Sequence, residues 1–171
     1  DEAIQVHDPA LDVPLPLLRR VVLGVLAQVA VGAGHLDLLA DLDALDGLKQ
    51  FDFVTSHPKD TPDELFFAMR DLDKCKQFLH LPIQSGSDRT LEAMNRGYKV
   101  KDFLEIVDKF KKEFPQLTIA TDVIVGFPTE SEKEFEDTMK LIKKVRPDVV
   151  HISRFGARPG TEAAKMQQLD K

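Results

Sequence analysis

An α/β fold, built on a parallel sheet with helices packed outside it, is the class that this sequence predicts. From Leu48 onward the apolar periodicity switches regularly between strand-like and helix-like runs. The strand-like runs are separated by amphipathic helices, which supply the crossovers that parallel strands need. The polar and glycine-bearing residues gather where those strands end.

The first strand is expected at Gln50 to Thr55, QFDFVT, which alternates apolar and polar residues and stops at Ser56, His57 and Pro58. Thr61 then precedes Pro62, Asp63 and Glu64 as a helix cap, and Leu65, Phe66, Ala68 and Met69 supply the apolar face of that helix. Gln77 to Ile83 is a short apolar run with Pro82 near its exit, and reads as the second strand. Ser87 or Asp88 is placed to cap the helix TLEAMNR, with Gly97 where a positive φ would end it.

Lys99 to Phe114 carries Phe103, Ile106, Val107 and Phe110 at spacings of three and four, an amphipathic helix stopped by Pro115. Leu117 to Val125, LTIATDVIV, is β-branched and closes on Gly126, Phe127 and Pro128. Ser131 to Val145 forms the next helix, halted by Pro147, and Val149 to Ile152 the last strand. Four strands are too few for a closed eight-stranded barrel, so the sheet is open or is part of a barrel.

A chain of 171 residues, 43% of them apolar, can bury one sizeable core. The net charge of -6 is unevenly placed. Residues 1–48 carry eight acidic and two basic side chains, whereas residues 49–171 carry 21 of each; no basic excess marks a nucleic-acid surface. Residues 1–48 also lack lysine, against 15 in the remainder, so residues 1–35 are set apart as an acidic and apolar segment from the α/β body over 36–171.

Within that segment Arg19 to Gly34, RRVVLGVLAQVAVGAG, opens like a twin-arginine export signal. Asp1 and Glu2 stand in place of a basic start, and the uninterrupted apolar run is shorter than the roughly 20 residues that span a bilayer. A buried helix with a glycine stop is expected there, in a soluble, cytoplasmic protein. The single cysteine, Cys75, excludes an internal disulfide and any metal site needing several thiolates of this chain. Lys74 and Lys76 beside it would favour a reactive thiolate, and an incidental thiol is the plainer reading.

Ligands of parallel α/β folds bind beyond the carboxyl ends of the strands. Here those positions hold His57; then Gln84, Ser85, Gly86 and Ser87; then Gly126, Phe127, Pro128 and Glu130; then Arg154, Arg158 and Thr161. Gly86 would let backbone approach a ligand, and Gln84, Ser85 and Ser87 offer donors and acceptors suited to a ribose or a carboxylate, so a nucleoside-like ligand is reasonable. The same QSGSD run reads equally as a capped strand-to-helix turn. Asp122, inside a β-branched run, points into a polar site or lies on a solvated edge. Arg158 suits an anion, or is a solvated surface arginine. His57 packs within its loop or touches substrate.

Taken together, HLPIQSGSDRTLEAMNRGY, ATDVIVGFPTE, RFGARPGTEAAKM and FVTSHPKDTPDEL resemble the central part of the radical S-adenosylmethionine methylthiotransferases, which modify an adenosine beside the tRNA anticodon. The ending FGARPGTEAAKM is similar to the archaeal and eukaryotic branch, acting on N6-threonylcarbamoyladenosine. The resemblance implies a partial TIM-like barrel of parallel strands with outer helices, a tRNA partner, and S-adenosylmethionine bound across the strand ends. Gln84, Ser85, Gly86, Ser87, Asp122, Gly126, Phe127, Pro128 and Arg158 are the implied cofactor contacts, with His57 and Arg154 toward substrate.

Members also bind a 4Fe–4S cluster through CxxxCxxC, a motif this sequence does not contain. Three thiolates leave the fourth iron free for the cofactor, and one cysteine cannot reproduce that. The expectation is therefore a fragment of a methylthiotransferase that is inactive alone and has no catalytic or metal residues of its own. The alternative is a non-catalytic α/β module for RNA or a protein partner, with a sheet edge open to self-association.

Overall fold

The computed structural model describes residues 34–52, 57–61 and 63–169. The strand expected at Gln50 to Thr55 lies partly outside these residues, and the helix expected over Arg19 to Gly34 almost wholly so. What is described of the former is a parallel bridge from Phe51 to Cys75. Phe51 donates to the Lys74 carbonyl at 2.9 Å, and its own carbonyl accepts from Lys76 at 2.9 Å.

Helices α1 (Gly34–Ala44) and α2 (Asp63–Asp71) precede strand β1 (Phe78–His80). Helices α3 (Asp88–Ala93) and α4 (Val100–Glu113) then lead to β2 (Thr118–Val125), and α5 (Glu132–Val145) leads to β3 (Val149–Arg154) and the short α6 (Glu162–Lys165). The three strands form a parallel sheet in the order β1-β2-β3, an open segment of a TIM-like barrel with its helices outside. The central strand is thus the β-branched LTIATDVIV run, and Asp122 stands on it.

The core lies between the sheet and the helices. Leu79, Ile119 and Val123 project from one sheet face into it, and Phe103, Val107 and Phe110 enter it from α4, all nearly fully buried. Each such side chain contributes about 1.5–3 kcal/mol by leaving water. Phe66 of α2 meets Phe110 edge-on at 5.2 Å between ring centroids and lies 5.4 Å from Phe114, which fixes α2 against α4.

The local stops follow the sequence. Asp102 accepts from the Lys99 N–H at 2.8 Å where α4 begins, Ser131 and Glu134 form a reciprocal cap on α5, and Arg146 turns left-handed (φ 52°) ahead of Pro147 to end that helix. The cap expected of Thr61 on α2 runs through Pro62, which lies outside the described residues; Thr61 closes a 3-10 turn at Pro58–Asp60, donating its hydroxyl to the His57 carbonyl at 3.1 Å. One expectation shifts. Helix α3 ends at Ala93, and Asn95 (φ 57°) adopts the left-handed backbone before Gly97 (φ 69°) does.

Candidate functional site

The carboxyl end of the sheet is shaped by Pro82. His80 pairs with Ala120 and Gln84 with Val123, so four steps along the first chain oppose three along β2 and one residue bulges. Proline has no N–H for the ladder, and Thr121 repairs the gap: its hydroxyl accepts from the Ile83 N–H at 3.1 Å and donates to the Leu81 carbonyl at 2.8 Å. The Tyr98 hydroxyl reaches the carbonyls of Pro82 and Ile83 at 3.2 and 3.0 Å, and burial pushes its pKa up to about 12. The bulge delivers Gln84, buried and left-handed at φ 67°, back into register beside β2.

Beyond it the QSGS turn is clamped under α5. A Cβ at Gly86 would lie 2.5 Å from the Thr138 Cα and 2.7 Å from the Asp137 carbonyl oxygen, so glycine is required by helix backbone. The Gly86 N–H donates to the Thr138 hydroxyl at 2.8 Å, and the Ser85 hydroxyl lies 3.4 Å from it. Ser87 caps α3 through Thr90 and donates to Glu134 at 3.0 Å.

Glu134 is the hub of this corner. Arg89 holds both of its carboxylate oxygens at 2.5 Å, Ser131 donates to it from backbone and side chain, and Thr90 donates at 3.3 Å. These donors, Arg89 foremost, hold the Glu134 carboxyl far below the usual carboxylate range despite its burial. Arg89 also donates to the Thr129 carbonyl at 2.5 Å and so binds the β1–α3 turn to the loop after β2. In that loop Gly126 (φ 73°) donates to Glu130 at 2.8 Å, and open space lies on its Cβ side. Pro128 is buried, and Phe127 packs edge-on against Phe155 at 5.0 Å.

Gln84, Ser85, Gly86 and Ser87 therefore share one end of the sheet with Gly126, Phe127 and Pro128. Arg154 closes β3 in register with Val125, on the sheet face opposite Asp122 by strand alternation, and is exposed. Arg158 lies on the surface in the following turn, where its carbonyl accepts from the Thr161 hydroxyl at 2.8 Å. His57 packs edge-on against Tyr98 at 4.8 Å and accepts from the Lys59 N–H at 3.3 Å.

Three site features lay outside the sequence reading. Glu134 and Arg89 stand in the sequence only as polar residues within two helical runs. The third is a polar row on the sheet face turned away from the core. His80 Nε2 on β1 lies 3.2 Å from Asp122 Oδ2 on β2, Asp122 is in register with His151 on β3, and the two imidazoles lie 6.4 Å apart. Alternation could have placed each residue on a face, but only the strand register places them together.

The parallel open sheet, with its loops converging at one end, defines the class, and comparison with known proteins names it. The radical SAM superfamily model matches residues 18–142, and the chain belongs to that superfamily. A tRNA-2-methylthio-N(6)-dimethylallyladenosine synthase of Caldicellulosiruptor saccharolyticus is 50% identical over 129 residues, 75% of this chain and 27% of that protein. The synthase of the same name from Thermoanaerobacter sp. strain X514 is 47% identical over 134 residues, 78% of this chain and 28% of that one. The chain thus spans less than a third of these relatives' length. Among solved structures, the archaeal Methanocaldococcus infernus Elp3 with an N-terminal deletion shares the fold at a TM-score of 0.57 and 20% identity, over 75% of this chain and 30% of its own.

The residues of this chain do not fit a 4Fe–4S cluster. The sequence has one cysteine, and Cys75 is buried, its thiol pushed up to about 12 chiefly by that burial. Among the described residues no three His, Cys, Asp or Glu side chains converge as a metal site, and no helix is long and apolar enough to cross a membrane.

Proposed function

We propose that this chain is the central portion of a tRNA methylthiotransferase, adding a methylthio group to an N6-modified adenosine beside the anticodon, and that its strand ends hold the nucleoside part of S-adenosylmethionine. The observation that carries this is the convergence of Gln84 and Gly126 at one end of a parallel sheet in a radical SAM chain. S-adenosylmethionine supplies an activated sulfonium. Gln84 offers polar groups to its nucleoside, the open side of Gly126 admits it, and Phe127 and Pro128 shape the loop around it. In this reading the Ser85, Gly86 and Ser87 turn sets the position of Gln84, Arg158 faces an anion, and His57 and Arg154 lie toward substrate. With one cysteine, the chain does no radical chemistry by itself.

The modified nucleoside has two readings. The relatives at 47–50% identity are named for dimethylallyladenosine, which favours that base. The ending Phe155 to Met166, FGARPGTEAAKM, favours threonylcarbamoyladenosine. The test is complementation: the longer protein that contains this segment is expressed in cells lacking their own synthase, and tRNA nucleosides are read by mass spectrometry. A 2-methylthio mark on either base supports the proposal and chooses between them. An unmarked tRNA pool from a folded, cluster-loaded protein refutes it.

A further inference from the structure

The polar row His80–Asp122–His151 sets one sheet face apart from the other. The opposite face of the same strands carries Leu79, Ile119 and Val123 into the core, whereas this one brings three titratable side chains side by side. The Asp122 side chain is 33% exposed, whereas that of His80 is 14% exposed and is held by Asp122 Oδ2. His151 is exposed beside them. The arrangement therefore presents a carboxylate, oriented by one imidazole, next to a second imidazole that can donate or accept.

A fixed acceptor beside a switchable donor complements a base edge that presents an exocyclic N–H next to a ring nitrogen. That is the donor–acceptor pattern of an aminopurine. An adenine substituted at N6 keeps one such N–H. We infer that Asp122 and His151, with His80 orienting Asp122, bind the aminopurine edge of the nucleoside to be modified. This rests on the function proposed above. The adenine of S-adenosylmethionine has the same edge, so the two sources must be separated by experiment.

The experiment uses the 171-residue chain, the two imidazoles being followed by proton NMR and affinities by calorimetry. The ligands are N6-dimethylallyladenosine and S-adenosylhomocysteine, and the variants are Asp122→Asn and His151→Phe, checked for folding by circular dichroism. The nucleoside is expected to shift the His80 and His151 ring resonances. Each variant is expected to weaken it about tenfold, as loss of a hydrogen bond to a charged group does, while S-adenosylhomocysteine binding changes by less than about twofold. A nucleoside that binds without moving either imidazole overturns the inference. So does an equal loss for both ligands, which assigns the row to the cofactor. If S-adenosylhomocysteine binds and the nucleoside does not, the inference fails and the proposed function stands; if neither binds, the strand-end cofactor reading falls with it.

Discussion

Replacing Gly86 by alanine tests how the site turn is held. Gly86 is not at positive φ, so alanine brings no backbone penalty and its cost is steric. The new methyl would sit 2.5 Å from the Thr138 Cα, 2.7 Å from the Thr138 nitrogen and 2.7 Å from the Asp137 oxygen, all main-chain atoms of α5. No rotamer change can relieve contacts with backbone, so α5 must lift from the turn. Overpacking of this kind costs about 1–3 kcal/mol, and stretching the 2.8 Å bond from Gly86 to Thr138 adds about 1 kcal/mol. A loss of about 3 kcal/mol follows, and with a urea m-value of about 1–3 kcal/mol/M the unfolding midpoint should fall by about 1–3 M. Gly156→Ala is the control, since nothing lies within 4 Å of its Cβ position. A Gly86→Ala midpoint within about 0.3 M of the parent chain would refute the claim that helix backbone, rather than a ligand, demands this glycine.

The remaining predictions concern the same scaffold. Thr121→Val leaves the Leu81 carbonyl and the Ile83 N–H without their side-chain partner, at about 1–3 kcal/mol each, and Thr121→Ser should recover most of the loss in urea titrations. Because the Glu134 pKa is depressed in the folded state, its contribution is complete above the unfolded value near 4.5 and drains away as pH falls below that. Glu134→Gln should therefore flatten the acid limb of the stability profile measured between pH 5 and pH 2, at about the pH range where the parent steepens. Strand β3 is an edge among the described strands, with Ile152 70% exposed and Val149 40% exposed, so the chain should associate as its concentration rises; Ile152→Lys should shift light-scattering masses back to the monomer.

Much of the architecture could be read from residue order, because amphipathic spacing and prolines act locally. Phe103, Val107 and Phe110 announce α4, Pro147 halts α5, and the β-branched run at 117–125 becomes β2 with a one-residue trim at its start. The QSGS turn was visible too, but its purpose was ambiguous. Only the packing reveals that Gly86 is small for the sake of Thr138, since that contact spans 52 residues of chain.

By itself the sequence determined the kind and order of the strands and helices described between residues 63 and 154, and the lack of cysteines for an iron–sulfur cluster. These follow from side-chain periodicity, cap chemistry and counting. The tertiary structure decided the bulge at Pro82, the Arg89–Glu134 clamp and the union of His80, Asp122 and His151 across three strands. Each of these depends on strand register and helix docking, which are set by the whole core closing at once, and no local stretch of chain contains that information.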